Sequence, residues 1–163
     1  MIRSDPAPAT FLLDNNVFVS AIIDPAKETA TLRLLLEMIR DKEIALVGNE
    51  YLAEEMALYA ESFRSETAAL LLHALLSKMT IIQVQPRFTA ATRSIMGTQD
   101  PADHIHAATC LQTGATLITN DRHFDAIRDQ GIIKVWSTTT AIQNSSKHPK
   151  PKSHSVAIQR AIQ

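Results

Sequence analysis

Short apolar runs alternate along the chain with longer segments of helical periodicity. Each run holds four or five residues, is rich in Ile, Val, Leu or Thr, and lacks a regular polar alternation. The runs are Thr10–Leu13, Ile44–Val47, Thr80–Val84, Ala115–Thr119 and Ile132–Trp136. This pattern predicts short strands that are buried on both faces, as in a parallel sheet covered by helices.

The segments between these runs have the length and the spacing of helices. In the first of them, Leu32, Leu35, Leu36 and Ile39 recur at helical intervals. The main predicted helices are Lys27–Lys42, Glu50–Glu61, Arg64–Lys78, Arg87–Met96, Pro101–Thr113 and Asp121–Gln130. The alternation of strands and helices predicts an α/β fold with a central, mainly parallel sheet and helices on both of its faces.

The charge of the chain is divided unevenly along its length. The 163 residues carry a net charge of −1, which excludes a strongly basic protein that coats nucleic acid. Residues 1–139 hold 12 basic and all 17 acidic side chains, whereas residues 140–163 hold four basic side chains and no acid. We interpret residues 1–143 as one folded domain and residues 144–163 as a basic, flexible tail.

The composition also indicates the cellular compartment of the protein. The single cysteine, Cys110, excludes an intramolecular disulfide framework and a cysteine zinc site. No stretch approaches the ~20 apolar residues of a membrane span, and the N-terminal MIRSDPAPAT lacks the apolar core of a secretion signal. We therefore expect a cytoplasmic protein without a membrane partner.

Two acidic residues follow predicted strands closely. Asp14 comes directly after the run FLL, and Asp121 comes two residues after Ala115–Thr119. Ligands of open α/β sheets bind beyond the carboxyl ends of the strands, so both residues lie where a functional site is expected. Each of them could instead serve only as the N-cap of the helix that follows.

Glu55 lies on the predicted inner face of its helix. The apolar stripe of this helix consists of Leu52, Met56, Tyr59 and Phe63. Glu55 falls on the same face as this stripe, and a buried carboxylate is costly unless it is paired or bound to a metal ion. The alternative is that Glu55 lies at the edge of the stripe and reaches water.

Asp103 stands at the start of another predicted helix. In the segment Asp100-Pro101-Ala102-Asp103, Pro101 suits the first helical position and Asp100 suits the N-cap. Asp103 would then complete a variant of the capping box. The helix is rich in small residues and therefore predicted to be closely packed, which places Asp103 beside a strand end.

Four carboxylates are thus predicted at one edge of one sheet. Without a counter-charge they would repel one another and raise each other's pKa values. A hard divalent cation such as Mg²⁺ or Mn²⁺ prefers oxygen ligands and relieves this repulsion. Such an ion also lowers the pKa of a bound water and neutralises charge on a phosphoryl group. The chain has no glycine-rich G-x-G-x-x-G fingerprint of a dinucleotide-binding fold.

Three segments resemble the PIN-domain ribonucleases, a family that includes the VapC-type toxins of toxin–antitoxin modules. They are FLLDNNVFVSAI, VGNEYLAEEMALYA and QDPADHIHAATCLQTGATLITNDRHF. The likeness spans residues Thr10–Thr139, and the DPxD and TxD elements are its most specific part. The resemblance implies a three-layer α/β/α sandwich and an endoribonuclease that depends on Mg²⁺ or Mn²⁺.

The resemblance also assigns roles to individual residues. The four catalytic, metal-binding acids of the family correspond to Asp14, Glu55, Asp103 and Asp121. Asn16 and Thr119 match polar residues that support these acids, and Asp100 matches an accessory acid. Asn49 departs from the pattern, because relatives often carry Ser there. In this scheme the metal ion activates the water, and Glu55 either binds the ion or orients that water.

The implied partners are an RNA substrate, an antitoxin protein and a second copy of the chain in a homodimer. A non-catalytic PIN-like module that binds RNA or a protein remains the alternative, although the presence of all four acids argues against it. His104, His106 and His123 lie near the acids in sequence. A histidine there could act as a general acid, but we interpret His104 and His106 as packing or surface residues on opposite sides of their helix.

Overall fold

The computed structural model of the protein describes residues 7–24, 26–97 and 100–145. Within these residues, five strands form one parallel sheet. The strands are β1 (Ala9–Leu13), β2 (Ile44–Gly48), β3 (Met79–Ile81), β4 (Thr116–Ile118) and β5 (Val135–Trp136). Their order across the sheet is β3-β2-β1-β4-β5. The prediction of a mainly parallel central sheet is confirmed.

Helices connect the strands and cover both faces of the sheet, which gives a three-layer α/β/α sandwich. They are α1 (Asn15–Ile22), α2 (Ala30–Arg40), α3 (Glu50–Ser62), α4 (Glu66–Lys78), α5 (Pro86–Met96), α6 (Pro101–Thr113), α7 (Asp125–Asp129) and α8 (Thr138–Ser145). A short 3₁₀ turn, Arg122–Phe124, precedes α7. The predicted fold class is therefore correct.

The register of the central strands brings separate parts of the chain to one edge. Leu13 of β1 pairs with Ile118 of β4, so the residues that follow them, Asp14 and Thr119, are neighbours. The backbone N–H of Asp14 donates to the carbonyl of Ile118 at 3.0 Å. Asn49 follows β2 at the same carboxyl edge, because all three strands run parallel. This edge carries the predicted site.

Helix α6 packs across the centre of the sheet. It contacts β1, β2 and β4 and lies between α3 and α5. Ala107 and Ala108 are fully buried in its middle, as expected for a helix of small residues that approaches the strands closely. Because α6 leads back toward the start of β4, its N-terminus lies at the carboxyl edge of the sheet, and Asp103 lies there with it.

The two edge strands differ from the predictions. The run Thr80–Val84 forms a strand only over Met79–Ile81, and Thr80 and Ile81 are exposed. The run Ile132–Trp136 forms a strand only over Val135–Trp136. Burial on both faces was therefore wrongly predicted for these runs, which form the two edge strands of the sheet.

Helix boundaries were shifted by local capping. Helix α2 begins at Ala30, not at Lys27, because the hydroxyl of Thr29 accepts the N–H of Leu32 and fixes the N-cap there. Helix α8 was not predicted, and the hydroxyl of Ser137 accepts the N–H of Thr140 at its start. The predicted flexible tail over residues 144–163 begins within α8, and its part from residue 146 onward lies outside the described residues.

None of the helices in the described ranges is long and apolar enough to cross a membrane. The longest of them have 13 residues, whereas a membrane span needs about 20 apolar residues.

Candidate active site

Asp14 is held rigidly at the end of β1. Its side chain is only 7 % exposed. One carboxylate oxygen accepts the N–H of Asn15 at 2.8 Å, and the other accepts the hydroxyl of Thr119 at 2.7 Å. The first bond makes Asp14 the N-cap of α1, and the second ties it to the end of β4. The capping role and the position at the sheet edge thus occur together.

Thr119 is the hub that joins three polar residues. Its hydroxyl donates to Asp14 and accepts the side-chain N–H of Asn16 at 3.3 Å. The same oxygen accepts the backbone N–H of Asp121 at 3.0 Å. One buried hydroxyl therefore fixes the spacing between the end of β1 and the loop after β4, and Asn16 and Thr119 lie beside Asp14 and Asp121.

Asp103, Asp121 and His123 form a close group. One potential ligand atom from each of them lies within 4.8 Å of the other two. His123 Nδ1 donates to Asp103 Oδ2 at 3.0 Å and lies 3.4 Å from Asp121 Oδ1. Asp121 also accepts the backbone N–H of His123 at 2.9 Å, which makes it the N-cap of the 3₁₀ turn. The structure therefore brings residues from α6 and from the loop after β4 together.

The environment disfavours the charged forms of two of these acids. Burial raises the pKa of Asp14 above its usual value, partly offset by the Thr119 hydroxyl, while the charge of Asp121 raises it further. Burial also raises the pKa of Asp103, and the charges of Asp121 and Asp14 act in the same direction against the hydrogen bond from His123. The three aspartates therefore interact electrostatically as one group.

Glu55 lies at the edge of the buried face of its helix. The prediction that Tyr59 belongs to the buried stripe is wrong, because Tyr59 is 47 % exposed. The buried residues of α3 are Leu52, Met56 and Ala60. The stripe is narrower than predicted, so the Glu55 side chain is 36 % exposed and reaches water. Its Oε2 lies 3.6 Å from Nε2 of His106.

His106 and Asn49 are two buried polar residues whose roles sequence reasoning did not find. His106 is fully buried in α6, and its ring lies between Asn49 and Glu55. Asn49 is the N-cap of α3 and accepts the N–H of Leu52 at 2.9 Å. The available signal was the departure from Ser at position 49 together with a second histidine two residues after His104.

Asp100 performs the capping role that its position predicted. Its carboxylate accepts the N–H of Ala102 at 3.0 Å, and Pro101 occupies the first turn of α6. Asp103, in contrast, directs its carboxylate to His123. The variant capping box is therefore only half formed, and the carboxylate of Asp103 belongs to the candidate site.

The residues at this edge fit a hard divalent cation. Oxygen ligands of Asp103 and Asp121 and a nitrogen of His123 are already close enough for one ion, with Asp14 next to them. The repulsion that raises the pKa values of Asp14 and Asp103 would be relieved by a positive ion. Glu55 stands on the β2 side, where His106 separates it from Asn49.

The chain is similar to a known family. A family model described as PIN domain matches residues 11–130, which run from β1 to the end of α7 and include every predicted site residue. A comparison with curated proteins finds no match to the chain.

Proposed function

Because the chain belongs to the PIN domain family, whose members are generally metal-dependent nucleases, we propose that it is a metal-dependent endoribonuclease. It would hydrolyse RNA phosphodiester bonds at the carboxyl edge of the sheet. The observation that carries this proposal is the convergence of Asp103, Asp121 and His123 within 4.8 Å, beside the buried Asp14. These side chains come from three separated parts of the chain, and local capping does not require their convergence.

In this proposal each carboxylate has a distinct duty. Asp103 and Asp121 would hold a Mg²⁺ or Mn²⁺ ion, and Asp14 would complete the site from the end of β1. The bound ion supplies an activated water and neutralises charge on the phosphate. Thr119 and Asn16 keep Asp14 and Asp121 at a fixed separation, so little reorganisation is needed when the substrate binds.

Glu55 would act from α3, the helix that follows β2. Its side chain is longer and more exposed than Asp14, so it can reach a ligand or a water that the aspartates do not reach. We assign to it either binding of the ion or orientation of the attacking water. His123 is exposed and bonded to Asp103, so an incoming substrate could contact it.

The first experiment measures metal binding and RNA cleavage together. Wild-type protein is melted with and without Mn²⁺, and the melting temperature is expected to rise with the ion by about 5–10 °C at a hundredfold excess over Kd. Asp14→Asn should lose most of this rise and should no longer cleave RNA. Equal melting of both proteins in Mn²⁺, with no RNA cleavage by the wild type, would overturn the nuclease proposal.

The competing function is a non-catalytic module that binds RNA or a protein. It predicts that RNA binding persists without divalent ions and that substitution of the acids changes nothing. Cleavage by the wild type that is lost in Asp121→Asn would exclude it.

We further propose that the protein is the toxin of a toxin–antitoxin pair and acts in the cytoplasm as a homodimer. The resemblance to VapC-type toxins supports this role, and α3 exposes the large apolar residues Tyr51, Leu58 and Tyr59, which suit a protein partner. Induced wild-type protein should arrest growth and generate new RNA ends, whereas Asp103→Asn should do neither. Leu58→Glu should convert the dimer into a monomer in light scattering.

We propose that the basic residues beyond α8 bind RNA phosphates. Residues 144–163 carry Lys147, Lys150, Lys152 and Arg160 and no acid, so they would add salt-dependent affinity for phosphates. Removal of residues 144–163 should weaken RNA binding at low salt. Unchanged binding after the deletion would refute this duty.

A further inference from the structure

A buried histidine lies between Asn49 and Glu55. His106 is fully buried in α6, and its two ring nitrogens have different neighbours. Nδ1 lies 3.1 Å from Nδ2 of Asn49, and Nε2 lies 3.6 Å from Oε2 of Glu55. Neither the metal-ligand roles nor the capping roles described above require a histidine at this position.

The orientation of the Asn49 amide follows from its partners. The backbone N–H of Leu52 can only donate, so the atom of Asn49 that faces it at 2.9 Å is the acceptor Oδ1. The amide nitrogen Nδ2 therefore faces the other way, toward Thr109 Oγ1 at 2.9 Å and His106 Nδ1 at 3.1 Å. It has two hydrogens, and each of these contacts uses one of them.

The hydroxyl of Thr109 supports this orientation of the Asn49 amide. It lies 2.7 Å from the backbone carbonyl of Ile105, which can only accept, so the hydroxyl hydrogen is used there. The Thr109 oxygen is then an acceptor toward Asn49. The second hydrogen of the Asn49 amide points at His106.

These directions fix the tautomer of the histidine. Because Asn49 donates to Nδ1, this nitrogen carries no hydrogen, and a neutral ring then carries its hydrogen on Nε2. The Nε2–H faces the Glu55 carboxylate, which can only accept. The chain of donors thus runs in one direction, from Asn49 through His106 to Glu55.

We propose that His106 is a positioning residue for Glu55. Asn49 holds His106 in the tautomer that carries a hydrogen on Nε2, and this N–H restrains the Glu55 carboxylate beside the sheet edge. The separation of 3.6 Å is longer than an ordinary hydrogen bond, so a small turn of the exposed Glu55 side chain completes the contact. The importance of this restraint for catalysis rests on the nuclease function proposed above. The tautomer of His106 and its contact with Glu55 do not depend on that function.

Glu55 needs such a partner more than the aspartates do. Asp14 is short, buried and bonded by two donors, so its carboxylate has one position. Glu55 has one more side-chain torsion and is 36 % exposed, so an unrestrained carboxylate there would lose more entropy when it engages a ligand. A buried donor on the neighbouring helix lowers this entropy cost.

The first test is nitrogen NMR of the metal-free protein with labelled histidine, in which the His106 signals are assigned from the spectrum of His106→Gln. The expected spectrum shows Nδ1 without hydrogen and Nε2 with hydrogen. Glu55→Ala should shift the Nε2 signal, whereas the matched control Glu54→Ala, an exposed neighbour on the same helix, should leave it unchanged. A hydrogen on Nδ1, or no response to Glu55→Ala, would overturn the proposal.

The second test separates positioning from packing. His106→Phe fills the cavity but removes the donor, and it should lower kcat on RNA about tenfold with little change in KM. His106→Gln offers an acceptor to Asn49 and an N–H to Glu55, so it should recover most of kcat. Equal losses in the two variants would identify a packing role and overturn the proposal.

A third variant leaves His106 itself unchanged, should its replacement prevent folding. Asn49→Ser keeps an N-cap for α3 but removes the donor to Nδ1, so the ring should populate both tautomers in the same NMR spectrum. An unchanged tautomer in Asn49→Ser would overturn the proposed role of Asn49. Wild-type protein that shows the expected NMR spectrum but does not cleave RNA would overturn the nuclease function alone.

Discussion

Asp121 and Asp125 are four residues apart in sequence and lie in opposite electrostatic environments. Asp125 forms an ion pair with Arg128 at 2.9 Å, and Arg128 also contacts Asp129 at 2.9 Å. These two acids raise the pKa of Arg128 above its usual value, which is the mark of charges that compensate one another. Asp121 instead faces Asp103 and Asp14, whose pKa values its charge raises.

The difference shows that the short segment from Asp121 to Asp129 contributes both to the candidate site and to a cluster of balanced surface charges. The Arg128 group is an exposed cluster whose charges are balanced by the chain itself and screened by solvent. The group at the sheet edge contains three interacting carboxylates, and among the described residues its near cationic candidates are histidines, not Lys or Arg. The remaining negative charge there is what an added divalent ion would balance.

The largest expected effect contrasts these two aspartates directly. Asp121→Asn should lower RNA cleavage at least about 100-fold, because a lost metal ligand removes several kcal/mol of transition-state stabilisation. Asn keeps an oxygen for the N–H of His123, so the local cap survives. Asp125→Asn should leave cleavage near wild type in the same initial-rate assay. Similar losses in both variants would show that the two environments do not differ in function.

A smaller loss of RNA cleavage is expected when the Thr119 hydroxyl is removed. Thr119→Val deletes the hydroxyl that joins Asp14, Asn16 and Asp121, and should cost about 1–3 kcal/mol of unfolding free energy and roughly tenfold in cleavage. Thr116→Val, the same change within β4, is the matched control and should affect cleavage little. Denaturant unfolding and initial rates measure both. Equal activity of the two variants would contradict the role of the Thr119 hydroxyl.

The two regions should also differ in their response to pH. The folded pKa of Asp14 lies above the unfolded value of 3.8, so the unfolded chain releases this proton first as pH rises. The native state then binds more protons, and the contribution of Asp14 to unfolding free energy falls from pH 3.8 up through the raised pKa. In a metal chelator, the stability of wild type relative to Asp14→Asn should therefore decline over this range.

Asp129→Asn provides the control for this pH dependence, because Asp129 is exposed and paired with Arg128. The stability of wild type relative to Asp129→Asn should show no such decline in urea unfolding at the same pH values. A relative stability of Asp14→Asn that stays constant between acid and neutral pH would contradict the burial argument. Addition of Mn²⁺ should reduce the decline, since the ion favours the ionised carboxylate.

The smallest effect is expected from the compensated cluster. Arg128→Ala removes both exposed ion pairs and should shift the melting temperature by only about 1–2 °C, because such pairs contribute little in water. Its Mn²⁺-induced stabilisation should equal that of wild type. A large loss of Mn²⁺ stabilisation in Arg128→Ala would link the two regions and weaken the contrast between them.

Much of the fold could be predicted because the relevant information is local. The central strands β1, β2 and β4 are continuous apolar runs, as expected for strands in the interior of a sheet that helices cover on both faces. The edge strands β3 and β5 were predicted too long, because an apolar run does not reveal whether a strand has one neighbour or two. Helix α8 is rich in threonine and lacks an apolar periodicity that would have predicted it.

The candidate site was predicted unevenly for a related reason. Asp14 and Asp121 follow strand ends, so their place at the carboxyl edge follows from the order of elements. The exposure of the Glu55 side chain could not be predicted, because the width of the buried stripe on α3 depends on whether neighbouring elements cover Tyr59. In the structure Tyr59 is exposed, so the stripe is narrow. The role of His106 depends on Asn49, which is 57 residues away.

By itself, the sequence determined the order of the strands and of the helices before α8, the membership of the PIN domain family and the local caps at Asp14, Asp100 and Asp121. Each cap joins a side chain to a backbone N–H within three residues, so short-range geometry is enough. The tertiary structure alone decided the Thr119 bond to Asp14 across 105 residues and the position of His106 between Asn49 and Glu55. These contacts depend on strand register and on the way α6 packs against α3, because polar groups far apart in sequence meet only when the packed backbone brings them together.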